Sequence, residues 1–291
     1  MSTQALHRIS ILVRTRNEAR YLPETLQAVR DQHFPADVEC VLVDSGSTDG
    51  TLDIARRWGV ENILALPPAE FTFGRALNLA ARQANGDILV SLSAHARPVD
   101  SSWLECLVRP FDDPRVAGVY GRQCPRPGAW PPVAADCRRA YGDRACIHCS
   151  LAEVSTTTPA VLFSNANAAL RRDLWARLPF NESLPACEDQ DWARRAIAQG
   201  YCIAYEPGAA VYHSHDEKPQ DIYRRRAREE QGWRRILPNR RITGRDFWDA
   251  WYGSSRADLR EIAASHRHWP WLILSPAYRF LWALGQWMPS L

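Results

Sequence analysis

Over its first hundred residues the chain alternates short apolar runs with stretches whose apolar positions recur at helical spacing. Ile9-Ser10-Ile11-Leu12-Val13 is a strand-like run closed by the polar turn Arg14-Thr15-Arg16-Asn17-Glu18. Leu22, Leu26 and Val29 then fall on one helical face, with Pro23 in the first turn, where its missing N–H is harmless. Residues 38–43 predict a second strand, ending at Asp44-Ser45-Gly46-Ser47-Thr48-Asp49-Gly50, and Leu52, Ala55 and Trp58 a second helix. Residues 62–66 read as a third strand. A third helix, 74–84, turns Leu77, Ala80, Ala81 and Ala84 inward. Residues 88–92 make a fourth strand, running into Ser93-Ala94-His95-Ala96-Arg97-Pro98. This rhythm predicts an α/β domain with a parallel sheet and right-handed crossovers. In such sheets ligands bind beyond the carboxyl ends of the strands, and the polar turns all fall there.

Farther along, Trp192, Ala196, Ile197 and Gly200 mark a helix with Glu188, Asp189 and Asp191 at its mouth. Acids there complement the positive helix end and the free N–H groups. A carboxylate on a rigid helix start facing strand ends is equally where a general base can be held. Phe163-Ser164-Asn165-Ala166-Asn167 leads a strand towards these acids, and its asparagines read either as sugar contacts or as turn formers.

Composition narrows the class. At 291 residues, with 46% hydrophobic and 24% charged positions, the chain has the make-up of an ordinary globular protein. A net charge of +3 is too small to imply nucleic acid. Lys218 is the only lysine; the arginines suit bidentate phosphate binding, although genome composition explains them as well. No secretory signal pattern and no apolar run of ~18 residues is present, so the reading is cytoplasmic. The eight cysteines are then expected as thiols. Cys124, Cys137, Cys146 and Cys149 fall close enough in sequence to raise a zinc site, with one CxxC and no second.

The domain reading is 1–220 followed by a basic, aromatic extension, 221–291. From Ile222 to Arg245 nine arginines face two glutamates. The tail from Trp269 to Trp287 is mostly apolar but interrupted by Pro270, Pro276, Arg279 and Gln286. Three readings stand: a solvated helix face for the arginine-rich stretch, a segment lying in an anionic membrane interface at the inner face of the cytoplasmic membrane, or packing against the first domain or a second subunit of a homodimer.

No G-x-G-x-x-G follows the first strand and no P-loop occurs. The motifs that do occur resemble the family 2 glycosyltransferases of GT-A fold, the Rossmann-like nucleotide-diphospho-sugar transferases. Val13-Arg14-Thr15-Arg16-Asn17-Glu18 and Val43-Asp44-Ser45-Gly46-Ser47-Thr48-Asp49-Gly50-Thr51 look like that family's start. Phe73-Gly74-Arg75-Ala76-Leu77-Asn78, Glu188-Asp189 and Val211-Tyr212-His213-Ser214-His215 match its later motifs, and the branch resembled is that of bacterial envelope-polysaccharide, rhamnosyltransferase-like members.

The resemblance implies inverting transfer of a sugar from a nucleoside diphosphate sugar to a hydroxyl of a glycan or lipid-linked acceptor, in cell-surface polysaccharide or glycolipid assembly. By similarity Thr15, Arg16, Glu18, Asp44 and Ser47 hold the nucleoside, and Arg75 and Asn78 approach the diphosphate. Ser93, Ala94 and Asn165 belong to the same donor site. Asp189 is the base, supported by Glu188, and a carboxylate of ordinary pKa, about 4, is ionised for that task. The family's Asp-X-Asp after strand four is replaced by Ser93-Ala94-His95. Either His95 with His213 and His215 binds a divalent metal, Mn²⁺ before Mg²⁺ because imidazole suits the former, or Arg14, Arg16, Arg75 and Arg122 neutralise the phosphates without one. The rivals are a nucleotidyltransferase and a non-catalytic sugar-nucleotide or glycan-binding relic.

Overall fold

The apolar runs become the centre of a mixed sheet. The computed structural model describes residues 8–153, 162–215, 217–265 and 269–290. β1 (Ile9–Thr15), β2 (Val38–Asp44), β3 (Asn62–Ala65) and β4 (Ile88–Ser93) are parallel, in the order β3-β2-β1-β4. Their connections carry α1 (Leu22–Arg30), α2 (Thr51–Arg57) and α3 (Phe73–Gln83). The register sets Thr15 beside Asp44 and Arg14 beside Ser93, so the polar turns share one rim as the alternation predicts.

Beyond β4 the sheet turns mixed. β8 (Asn167–Arg171) runs antiparallel to β4, and β6 (Val116–Cys124) antiparallel to β8. β9 (Cys202–Tyr212) lies parallel to β6, while the short β5 (Arg97–Pro98) and β7 (Cys146–His148) pair antiparallel with β9. α4 (Trp103–Val108), α6 (Arg172–Arg177) and α7 (Glu188–Ala198) complete this unit.

Both faces of the sheet are covered. Ile9, Ile11 and Val13 of β1 enter one core with Leu22 and Leu26 of α1 and Trp103 and Leu104 of α4. Leu12 points the other way, with Leu77 and Ala80 of α3 and Trp192 and Ala196 of α7. That period of two is why β1 is apolar almost throughout. β6 and β9 come unusually close. A Cβ on Gly121 would stand 2.0 Å from the Ala209 carbonyl oxygen, beside the register shift between Gly121 and Gln123. Only glycine fits there.

The chain forms two compact units, and their boundaries differ from the 1–220 and 221–291 expected. The first comprises residues 1–124, 141–183 and 188–213; the second comprises 125–140, 184–187 and 214–291. In the second, α5 (Pro131–Ala140) joins α8 (Pro219–Ile236), α9 (Gly244–Ser265) and α10 (Trp271–Trp287). Contacts between distant parts of the sequence hold it there: Trp130 packs on Trp271, and Arg279 Nη1 of α10 donates to Asp136 Oδ2 of α5 at 2.8 Å. Arg279 is 1% exposed, and Asp258 of α9 accepts from its Nε at 2.6 Å and its Nη2 at 2.9 Å. Loss of hydration pushes Asp258 up, but the hydrogen bonds and charge of Arg279 outweigh it and hold the carboxyl below the usual range.

The zinc expectation and the expectation of thiols throughout are corrected at one pair. Cys149, just past β7, forms a disulfide with Cys202 at the start of β9. β7 and β9 are ladder partners, His148 opposite Ile203, so the two sulfurs meet without any displacement of the strands. Cys149 therefore offers no thiolate, Cys137 lies on α5 of the second unit, and no cysteine group able to hold a metal occurs among the described residues.

Candidate active site at the strand ends

The turns after β1 and β2 are built as one piece. Asp44 is buried; its Oδ1 accepts from Thr15 Oγ1 (3.0 Å) and Ser47 Oγ (2.5 Å), and its Oδ2 from the N–H groups of Gly46 (3.0 Å) and Ser47 (2.9 Å). Asn17, at φ 57°, accepts from the Thr48 N–H at 2.8 Å, while its own N–H donates to Ser47 Oγ at 2.8 Å. Gly46 and Gly50 take φ of 76° and 87°, the left-handed region these turns require. Thr15, Asp44 and Ser47 are thus brought together, and Arg16 stands exposed beside them. Asp44, expected to meet a nucleoside directly, has its acceptor positions taken by the turn it shapes.

The acid pair opens α7. Asn165 holds both members: its N–H donates to Asp189 Oδ2 at 3.2 Å and its Nδ2 to Glu188 Oε1 at 3.1 Å. Arg14 Nη1 lies 3.7 Å from Glu188 Oε1, and its guanidinium stacks 4.9 Å from the centre of the Phe73 ring. Here the ordinary pKa expected for the base is corrected. Lost hydration, and then the negative charge of Glu188, push Asp189 up to about 7. Burial also lowers the pKa of Arg14, against the pull of the two acids.

The histidines are set by acceptors. His95 Nδ1 donates to Glu18 Oε1 at 2.9 Å, and His213 Nδ1 donates to Gln123 Oε1 at 2.8 Å. Gln123 is fixed in turn by its Nε2 donating to Ser164 Oγ at 2.8 Å. The two rings stack, centroids 4.9 Å apart and planes 11° from parallel. An imidazole whose Nδ1 carries the proton has its lone pair on Nε2, and a carboxylate or amide behind Nδ1 is the usual arrangement behind a metal-binding histidine. The donor set therefore fits a first-row divalent ion. His215 follows His213 by two residues, which keeps its Cα within about 7 Å by chain geometry alone. Ser93 stands half-buried at the same strand end, its Oγ 3.4 Å from the His95 ring, and the carbonyl of buried Ala94 accepts from Thr25 Oγ1 at 3.0 Å.

Two of the residues expected near the diphosphate already have partners within the protein. Asn78 is buried and its amide is taken up inside the first unit: it donates to the Phe180 carbonyl and to Glu182 Oε1, both at 2.9 Å, and accepts from Trp175 Nε1 at 2.9 Å and the Phe180 N–H at 3.1 Å. It secures the segment before α7. Arg75 Nη2 pairs with Glu70 Oε2 at 2.6 Å, and Arg122 Nη1 with Asp143 Oδ1 at 2.5 Å. With Arg14 on Glu188, three of the four arginines weighed for metal-free neutralisation already face a carboxylate. Gln123 was missed in the sequence, because its partner His213 lies 90 positions away and no local pattern marks it.

Comparison with known proteins agrees with this geometry. Residues 10–173, more than half of the chain, match the sequence profile described as Glycosyl transferase family 2. The chain belongs to that family. As a glycosyltransferase it is 32% identical over 221 residues to the O-antigen chain rhamnosyltransferase RfbN of Salmonella typhimurium, covering 75% of this chain and 70% of that one. It is 35% identical over 190 residues to the O-antigen chain rhamnosyltransferase WbaN of Salmonella anatum, covering 64% and 60%. Among solved structures, a mannosyltransferase from Pyrobaculum calidifontis, in complex with GDP-Man and Mn²⁺, superposes with a TM-score of 0.65 at 22% identity, over 97% of this chain and 88% of that one. That likeness establishes the α/β fold of GT-A type with a helical C-terminal region. The family also removes the nucleotidyltransferase rival.

Proposed function

We propose that this glycosyltransferase moves a deoxyhexose, rhamnose in the first instance, from a nucleoside diphosphate sugar to a hydroxyl of a glycan or lipid-linked acceptor in bacterial surface-polysaccharide assembly. The kinship to O-antigen rhamnosyltransferases supports the sugar and the setting. The observation that carries the chemistry is the acid pair: Asn165 holds both Asp189 and Glu188 at the start of α7, and lost hydration together with the charge of Glu188 raises the Asp189 carboxyl above the usual range. A carboxylate whose pKa is raised is a stronger base and takes a hydroxyl proton better than an ordinary one does. As the acceptor oxygen bonds to the anomeric carbon, its proton passes to Asp189. The bond from that carbon to the diphosphate breaks on the opposite face, and the electron pair leaves with the diphosphate.

The donor nucleoside would lie against the joined turns of Thr15, Arg16, Asp44 and Ser47, with Glu18 orienting His95. Arg14 Nη1 and Asn165 Oδ1 are buried without a hydrogen-bond partner, which is uncommon and fits polar atoms that complete their bonding to a ligand. His95, His213 and His215 would hold a divalent ion, Mn²⁺ in preference to Mg²⁺. When bound, such an ion supplies positive charge for the departing diphosphate.

The test is donor hydrolysis without acceptor, wild type against Asp189→Asn. Slow turnover by the wild type and none by the variant is expected; equal background in both leaves a sugar-nucleotide-binding relic as the better reading. A thermal-shift series with nucleoside diphosphates, with and without Mn²⁺, tests the metal. His95→Ala and His213→Ala should each lose the Mn²⁺-dependent rise in Tm, and a metal-independent rise in all three proteins would favour the arginines.

A further inference from the structure

α10 is partly turned inside out: it buries Ser275 and Arg279 along with Tyr278, Ala283 and Gly285. On its buried side sit Ser275 and Arg279, hydrogen-bonded to Asp258, whereas Ile273 is 80% exposed and Leu274 49%. Ile273, Ala277, Phe280, Leu284 and Trp287 recur at i, i+4, i+7, i+11 and i+14, an apolar stripe along the helix that is exposed except at half-buried Leu284. A helix docked only on its own protein shows the reverse arrangement.

The stripe continues on α9. Phe280 meets Phe247 at 5.5 Å and Trp251 at 6.0 Å between ring centres, and Trp251 meets Trp248 at 5.3 Å. Trp248 (55% exposed) and Tyr252 (63%) are followed on the same outer face, at steps of four, by exposed Arg256 and Arg260. The second unit as a whole holds 17 Lys and Arg against 10 Asp and Glu, a net of +7; the first holds 19 against 23, a net of −4. Apolar and aromatic residues edged by arginine, on helices too short or too polar to span a bilayer, are the composition of a surface that rests in a lipid interface. Anionic headgroups complement a charge of +7, while a second copy would set that charge against itself.

We propose that the outer face of α9 and α10 is a membrane-docking surface for bilayers rich in anionic phospholipid. Ile273, Leu274 and Phe280 enter the acyl boundary, Trp248, Tyr252 and Trp287 lie at headgroup level, and Arg256 and Arg260 meet lipid phosphate. The proposal rests on this surface alone and stands apart from the donor and base assignments. It gives the enzyme a reason to work on an acceptor carried by lipid.

The full chain is tested by flotation with vesicles of phosphatidylcholine alone and of phosphatidylcholine mixed with phosphatidylglycerol. The triple variant Ile273→Ser, Leu274→Ser, Phe280→Ser and the pair Arg256→Glu, Arg260→Glu are run alongside, with circular dichroism and donor hydrolysis as controls. The wild type should float with the anionic vesicles and show a blue shift of tryptophan emission. The triple variant should lose about tenfold or more in partitioning, and the arginine pair should lose the preference for anionic lipid, both with unchanged donor hydrolysis. A wild type that stays with the soluble fraction at low salt overturns the proposal, as does a triple variant that floats equally. A wild-type dimer that the triple variant dissociates, without vesicle binding in either, overturns it in favour of a second copy. Should donor hydrolysis fail in every form while flotation follows this pattern, the catalytic reading falls and the docking surface stands.

Discussion

In the first unit Leu89, Val90 and Leu92 of β4 disappear into the interior, and the ionisable groups gather past the ends of the strands. In the second unit Arg279, Asp258 and Glu230 are inside, and Ile273, Leu274 and Trp248 are outside. Each buried charge of the second unit is matched: Glu230 accepts from Arg234 and Arg240, both at 3.1 Å, as Asp258 does from Arg279. The sheet unit draws its stability from apolar area removed from water, and it holds Asp189 buried beside Glu188, where lost hydration raises its pKa. The helical unit locks its helices with paired ions, an arrangement that confers geometry more than stability, and leaves its apolar side to another medium.

Several substitutions can break or sharpen this contrast. The largest effect is expected at Asp189→Asn: a fall of about 10²- to 10⁴-fold in sugar transfer, measured as kcat with saturating donor. The same change should raise Tm at pH 8. The folded-state pKa of Asp189 is raised, so its contribution to stability is full at low pH and is lost as pH climbs through about 7. Asparagine has no such loss. A rate loss accompanied by a stability loss at pH 8 would mean that Asp189 holds the fold instead of serving the reaction.

Next comes Arg279→Ala, which leaves Asp258 buried without its main partner and should cost the second unit about 3–5 kcal/mol in urea unfolding. Tryptophan emission is a suitable probe, because eight of the chain's 12 tryptophans lie in that unit. In the sheet the matching experiment is Leu89→Ala, a cavity in a dry core, expected to cost about 2–5 kcal/mol. A smaller loss for Arg279→Ala than for the exposed Ile273→Ser would contradict the inside-out description, since the latter should change stability by no more than about 0.5 kcal/mol.

The pH profile gives a finer measure. Transfer should rise as pH passes through about 7, the ionised Asp189 being the active form. Glu188→Gln removes the neighbouring negative charge and should move that rise to lower pH, whatever it does to the maximal rate. An unmoved limb would assign the titration to another group.

Much of the first unit was readable along the chain. β1 to β4, α1 to α3 and the start of α7 follow from local periodicity and turn chemistry, and Gly200, at φ 87°, ends α7 where the glycine predicts. His95, past the fourth predicted strand, and Asp189, at the mouth of a predicted helix, were legible for the same reason, and His213 through its motif. Their partners were not. Asn165 on the acid pair, Gln123 behind His213 and Glu18 behind His95 are joined across 23, 90 and 77 positions, and nothing in a short window encodes such pairs. For Asn78 the motif was visible, whereas the four hydrogen bonds that hold it, all to residues 175–182, were not.

The order of residues thus determined the strand and helix rhythm, the rim on which the polar turns gather and the family to which they belong, because all of these arise from contacts within a few residues and from the fixed hand of the crossovers. Tertiary structure decided the rest. It raised the pKa of Asp189 by taking its hydration away, paired Cys149 with Cys202 across a ladder, recruited residues 125–140 into the second unit through Trp130 and Arg279, and turned an apolar stripe of α10 outward. Each of these depends on what distant segments bring to a site: charge, burial or a hydrogen-bond acceptor, which the sequence lists but does not locate.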